Sequence, residues 1–192
     1  KVCGHYKIPY KQYGLLLFHP VTTEVNYLSK QISILISTLI NSHKNYVVIY
    51  PNNDHGTDKI FEEYKKLNKN KNFRLIPSMR FEYFLTILKN SDFIIGNSSA
   101  GIREAPYYGV PTINVGTRQN NRSHCHSILN VDYDSEKIIS AIKKVKKIKK
   151  KKINLFGDGK STEKFYQIIK KDKNIWDNNT QKYFKDHKIK LL

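Results

Sequence analysis

The sequence predicts an α/β fold in which a parallel β-sheet carries helices on both faces. Three observations predict it. Short apolar runs rich in Ile, Leu, Val and Phe recur along the chain, and most are followed by a stretch whose apolar residues fall at helical spacing. The runs are near-continuous blocks rather than alternating patterns, as in strands buried on both faces. Gly and Pro punctuate the junctions, and strands separated by helix-length segments imply βαβ units. The 192 residues are enough for one such domain with a sizeable core.

The first strand is Gly14 to Phe18. After His19-Pro20, Thr22 is positioned to cap a helix, with Glu24 in its first turn favouring the positive dipole end. Val25, Leu28, Ile32, Leu35 and Leu39 then fall on one face of a long amphipathic helix. Tyr46 to Tyr50 is the next strand and Asp58 to Leu67 the next helix. Phe73 to Ile76 is a weaker strand, followed by a helix carrying Phe81, Phe84, Leu85 and Leu88. Asp92 to Gly96 is a strand that runs through Asn97-Ser98-Ser99 into a helix ending near Gly109. Pro111 to Val115 is a strand, Gly116 to Ser127 a polar loop, and Ile128 to Val131 a short last strand. Helices from about Ser135 to Ile148 and from Ser161 to Lys171 complete the pattern. In domain terms, residues 1–13 read as a linker, 14–171 as a Rossmann-like domain with a closing helix, and 172–192 as a polar tail.

Composition excludes several classes. No apolar run reaches the roughly 18 residues of a membrane span, and no signal-peptide profile opens the chain. Cys3 and Cys125 are too few and too distant for a disulfide framework, so a cytoplasmic setting is expected. His5, His43, His55, His126 and His187 lack metal-ligand spacing, and Cys125 with His124 and His126 has no second ligand pair. No metal and no cofactor are expected. Thirty-four Lys and Arg against 16 Asp and Glu leave a formal charge of +18. Much of it lies in Lys143 to Lys152, where Ile138, Ile142 and Val145 recur at helical spacing between lysines. That run reads as a solvated helix face, because aromatic interleaving and any recognised nucleic-acid motif are missing. Met79 is the only methionine, so Lys1 is not a translation start and an upstream segment is expected.

Chemistry concentrates in the loops after the strands, where ligands of such sheets bind. Gly96-Asn97-Ser98-Ser99-Ala100-Gly101 delivers small residues and two hydroxyls to a helix start, an arrangement that suits an anion. Glu104, about one and a half turns further on, suits the hydroxyls of a sugar diol better than a phosphate. Arg118, after the next strand, can reach the same anion with its forked guanidinium. His19 closes the first strand at the same sheet edge, where an imidazole contacts phosphate or transfers a proton. Asn52 lies in a turn that can line the cleft, whereas Arg122 and His124 have no assignable role.

Six segments in register carry a resemblance. They are Phe18-His19-Pro20-Val21-Thr22-Thr23-Glu24, Pro51-Asn52 through Gly56, Phe81 to Phe84, Ile95 to Glu104, Gly109 to Gln119, and Phe156-Gly157-Asp158-Gly159. Over about residues 12 to 170 the chain resembles the carboxyl-terminal half of the hydrolysing UDP-N-acetylglucosamine 2-epimerases. The resemblance implies the nucleotide-binding, carboxyl-terminal lobe of a GT-B-like fold. It implies that Ser98 and Ser99 hold the UDP diphosphate, Glu104 the ribose and Arg118 the nucleotide. Met79 and Phe84 would lie near the uracil, Asn52 at the cleft, and His19 as a catalytic histidine near the sugar–phosphate junction.

The implied reaction removes the C2 proton, eliminates UDP across the sugar C1–C2 bond, and adds water to give N-acetylmannosamine. The family's catalytic acids lie in an amino-terminal lobe absent from this sequence, so the chain alone should bind UDP without turnover. Implied partners are a UDP-sugar, that missing lobe and a second copy in a homo-oligomer; nucleic acid and membrane are not. Non-hydrolysing 2-epimerases typically have His-Arg where this chain has His19-Pro20. A 2,4-diacetamido sugar substrate, a GT-B UDP-sugar transferase, and a non-catalytic nucleotide- or polyanion-binding module remain as alternatives.

Overall fold

The structure, a computed structural model, describes residues 2–123 and 125–171. His124 and the expected tail 172–192 lie outside them. Six strands form one sheet: β1 (Gly14–Leu17), β2 (Tyr46–Ile49), β3 (Phe73–Ile76), β4 (Phe93–Gly96), β5 (Thr112–Val115) and β6 (Ile128–Val131). All pairings are parallel, and the spatial order is β3-β2-β1-β4-β5-β6. The central strands β1, β4 and β5 are buried at every position, which is why their sequences are unbroken apolar blocks. The edge strands β3 and β6 are only partly buried, and they are the two weaker patterns in the sequence.

Helices cover both faces: α1 (Val2–His5), α2 (Leu28–Asn41), α3 (Thr57–Lys65), α4 (Phe81–Asn90), α5 (Glu104–Tyr108) and α6 (Ser135–Val145). One face packs Leu16, Phe18, Val48, Ile95 and Ile113 against α2, α3 and α6, through Ile32, Leu35, Ile36, Ile60, Ile138 and Ile142. The other packs Leu15, Leu17, Val47 and Ile94 under Phe84, Ile87 and Leu88 of α4 and Ala105 of α5. Successive strand residues thus serve opposite layers. Lys143 and Lys144 are exposed, while Ile138, Ile142 and Val145 are buried, so the start of the lysine run is a solvated helix face; α6 ends at Val145 rather than near Ile148, and the exposed Lys146 and Lys147 lie beyond it.

Three local expectations need correction. Thr22 caps no helix: residues Thr22–Glu24 form a single 3₁₀ turn without a side-chain cap, and α2 begins only at Leu28. Glu24 instead accepts hydrogen bonds from Thr117 Oγ1 and Gln31 Nε2, so its carboxylate ties loops together rather than facing a helix dipole. The helix after Ser98 is also not continuous. A 3₁₀ turn at Ser99–Gly101 is followed by α5, which starts at Glu104. Pro106 has no amide hydrogen to donate to residue 102 and is tolerated only in a first helical turn, while Thr112 Oγ1 takes the Gly101 carbonyl at 2.6 Å. Residues 1–13, expected as linker, contain α1, and Ile8 and Tyr13 join the second apolar layer.

The chain divides into two compact units, Lys1–Leu155 and Phe156–Leu192, so the boundary falls inside the 14–171 range expected for the sheet domain. The second unit contains α7 (Ser161–Lys171), at the bounds its sequence pattern suggests. No described helix is long and apolar enough to cross a membrane.

Candidate functional site

The strand order reverses direction between β1 and β4, and a crevice opens there beyond the carboxyl ends of the strands. Its two lips are the residues that leave these strands. Gly96 is paired with Leu17, and it adopts φ +129°, which turns the chain sharply into Asn97. Asn97 is fully buried. Its Oδ1 accepts the His19 amide at 2.7 Å, and its Nδ2 donates to the His19 carbonyl at 2.8 Å. Its own carbonyl accepts from Arg118 Nη1 at 3.1 Å and Gln119 Nε2 at 3.0 Å. The loops after β1, β4 and β5 are therefore locked to one another.

The cleft they enclose has a volume of about 360 Å³. All eight residues singled out in the sequence line it: His19, Asn52, Met79, Phe84, Ser98, Ser99, Glu104 and Arg118. The segments after five strands, together with α4 and α5, are thus brought together from positions 19 to 118. Tyr50, Phe81, Leu17 and Ile49 complete an apolar wall, and none of the four was assigned a ligand role from the sequence. A larger groove of about 650 Å³ lies between β6 and α6, but at the far edge of the sheet and away from these strand ends.

The polar groups divide by chemistry. Ser98 Oγ accepts the Ala100 amide at 3.3 Å, leaving its hydroxyl hydrogen for another acceptor. Arg118 has no carboxylate partner among the described residues, so its charge is available to an anion. Glu104 Oε2 is buried and has no hydrogen-bond partner among the described residues, which suits it to accept from hydroxyls. Because α5 has only five residues and a 3₁₀ turn precedes it, the expected helix-dipole contribution to an anion site is small. The hydroxyls and the guanidinium carry that role instead. Among the described residues no cluster of His, Cys, Asp and Glu is arranged to hold a metal ion.

His19 differs from the group that the sequence suggests. Burial, reinforced by the Arg118 charge and opposed by Asp54, lowers its pKa to about 4. The imidazole is therefore neutral at pH 7 rather than poised at its titration point. The unfolded chain binds a proton near pH 6.5, so between that value and about 4 unfolding takes up protons and acidification destabilises the fold. We expect His19 to contribute about 1–3 kcal/mol of stability at pH 7, after discounting for partial exposure, that is lost as pH falls through this window. Urea unfolding of the wild type and His19→Gln at pH 7, 6 and 5 measures it: the variant should show the shallower pH dependence.

A solved structure of the Methanocaldococcus jannaschii UDP-GlcNAc 2-epimerase shares the fold, with a TM-score of 0.72 at 21% identity, over 88% of this chain and 48% of that one. Sheet order, two-faced helix packing and a cleft at the strand-order reversal define one lobe of a GT-B-like fold. The sequence profile of the UDP-N-acetylglucosamine 2-epimerase family matches residues 3–170. The chain is 44% identical over 190 residues to the UDP-N-acetylglucosamine 2-epimerase of Neisseria meningitidis serogroup B, covering 97% of this chain and 50% of that protein. It is 33% identical over 163 residues to the hydrolysing UDP-N,N'-diacetylbacillosamine 2-epimerase of Legionella pneumophila, covering 84% and 43% respectively. The chain belongs to the UDP-N-acetylglucosamine 2-epimerase family. It spans about half the length of the curated relatives it matches.

Proposed function

We propose that this chain is the UDP-binding, carboxyl-terminal lobe of a hydrolysing UDP-N-acetylglucosamine 2-epimerase. The observation that carries the reading is one cleft that combines two serine hydroxyls, an unpaired guanidinium, an orphaned buried carboxylate oxygen and an aromatic wall. Those are the complements of a diphosphate, a ribose diol and a base, in that order. Phe84 and Phe81 offer flat apolar surface to the uracil, with Met79 beside them. Asn52 lines the same cleft.

In this reading the C2 proton leaves to a base on an amino-terminal lobe, and the C1–oxygen bond breaks as the C1–C2 double bond forms. UDP departs with the bonding electrons. Ser98, Ser99 and Arg118 act on that step, because their donors face the negative charge that grows on the leaving diphosphate. Water then adds to the unsaturated sugar and releases N-acetylmannosamine. His19 is neutral before substrate arrives. A bound diphosphate draws its pKa upward, so the imidazole becomes a proton donor only once the leaving group is in place.

The hydrolysing branch is favoured by Pro20 directly after His19, and by similarity to the Legionella relative, a hydrolysing 2-epimerase. The 44% identity to the meningococcal protein favours the N-acetylglucosamine nucleotide over a diacetamido one. An amino-terminal lobe bearing the acids, and assembly as a homo-oligomer, belong to the same proposal.

Calorimetric titration of the chain with UDP should give saturable binding that survives physiological salt. Tight, steeply salt-dependent binding to a DNA duplex with no UDP response would instead favour a polyanion-binding module. In an enzyme that carries this lobe, the expected products are UDP and free N-acetylmannosamine, and His19→Ala should remove most of the turnover. A UDP-linked epimer as product would place the protein in the non-hydrolysing branch.

A further inference from the structure

We propose that Asn97 is the positioning residue of this cleft, holding His19 with its side chain and Arg118 with its backbone carbonyl so that the two face the ligand as one unit. The proposal rests on the sugar-nucleotide reading above and extends it to a residue that has no place on the wall of the cleft.

The Asn97 side chain is fully buried, and both ends of its amide grip one residue: Oδ1 accepts the His19 amide at 2.7 Å and Nδ2 donates to the His19 carbonyl at 2.8 Å, with the Tyr133 hydroxyl also against the side chain. This is a two-point clasp on the peptide of the residue just past β1. An aspartate cannot donate to that carbonyl, and a glutamine is one methylene too long for the gap. The Asn97 amide meanwhile continues the β1–β4 ladder, donating to the Leu17 carbonyl at 3.1 Å. Asn97 is therefore fixed by the sheet itself, and whatever it holds inherits that rigidity.

The opposite side of Asn97 holds the third loop. Arg118 and Gln119 both donate to its carbonyl, at 3.1 and 3.0 Å. Thr117, the residue before them, is anchored from the other direction by Glu24, whose carboxylate is shared with Gln31. The guanidinium is thereby held beside the imidazole without a carboxylate to neutralise it. Two groups that would otherwise drift apart are kept close, which is a cost the fold accepts at a functional site.

Removing Asn97 should let the His19 loop relax toward solvent and Arg118 move away. Burial and the Arg118 charge hold the imidazole's midpoint down, against the opposing pull of Asp54, so exposure of the ring and departure of Arg118 each raise it. The test follows the histidine ring resonances by NMR across pH, with His19→Gln assigning the signal. Asn97→Ala should raise the His19 midpoint from about 4 by at least about one pH unit and weaken UDP binding by about 10- to 100-fold. Asn97→Thr, of similar volume and unable to form the two-point clasp, should do the same and covers the case in which the alanine variant does not fold. Thr38→Ala removes a different buried hydrogen bond, to Ile34 and Ser135, and should lower the melting temperature while leaving both readouts unchanged.

An unchanged His19 midpoint in the Asn97 variants, with loss of stability alone, overturns the positioning role. Absence of UDP binding in the wild type would overturn the sugar-nucleotide reading, while the His19 titration would still decide whether Asn97 couples the two loops.

Discussion

Replacing Ser98 and Ser99 together by alanine is expected to weaken UDP binding by about 100-fold or more, without unfolding the chain. In the proposed reading each hydroxyl donates to a charged diphosphate oxygen, and a hydrogen bond to a charged partner contributes about 1.5–3 kcal/mol. Two such losses, even if not additive, amount to about two orders of magnitude in Kd. The fold should tolerate the change. Both serines are only partly buried, and the one cap that Ser98 supplies, to the Ala100 amide, is long at 3.3 Å. Isothermal titration with UDP and a melting curve for each variant separate the two effects. Binding within a few-fold of the wild type would mean that Arg118 and the backbone hold the diphosphate without the hydroxyls.

Gly96→Ala is expected to have the largest effect on folding of any single methyl group in the site. A Cβ at this position would stand 1.9 Å from the Leu17 carbonyl oxygen and 2.7 Å from its carbon, with φ at +129°, where L side chains are strained. Neither atom can yield, because Leu17 is paired with Gly96 in the β1–β4 ladder and accepts the Asn97 amide. A cost on the order of 4 kcal/mol or more is expected, a large part of the stability of a domain this size. Gly14→Ala is the comparison. The atoms nearest its Cβ would be side-chain atoms, the rings of Phe93 and Tyr46 at 2.8 and 2.9 Å. Side chains can shift where a paired backbone cannot, so the Gly14 variant should melt well above the Gly96 variant. Equal melting temperatures would show that β4 can repack around the new methyl group.

The two variants divide the site into its parts. In the proposed reading Ser98 and Ser99 act on the ligand, whereas Gly96 makes the turn that brings Asn97 under His19 and Arg118. Asn97 stood in plain view within the Gly96-Asn97-Ser98-Ser99 segment, yet no periodicity or spacing marks it. A buried amide that clasps a backbone 78 residues away is visible only when both loops are placed. Glu24 departs from its local pattern for the same reason. Its position after Thr22-Thr23 suggests a helix start, but its partners are Thr117, 93 residues on, and Gln31.

By itself, the sequence determined the strands, the parallel two-faced sheet and eight of the thirteen residues that line the cleft, because each depends on local pattern, on short motifs at loop positions or, for Met79 and Phe84, on the family resemblance those motifs carry. Apolar blocks of four or five residues can be satisfied only by burial on both sides, and that requirement is written into consecutive residues. Tertiary structure alone decided how the cleft is held and charged. The break between Gly101 and Glu104 depends on the Thr112 hydroxyl in the neighbouring strand. The downward pull on the His19 pKa comes from burial and from a guanidinium that arrives from position 118. Desolvation and charge act through space and fall off with distance, so they belong to the folded arrangement of loops rather than to any stretch of chain.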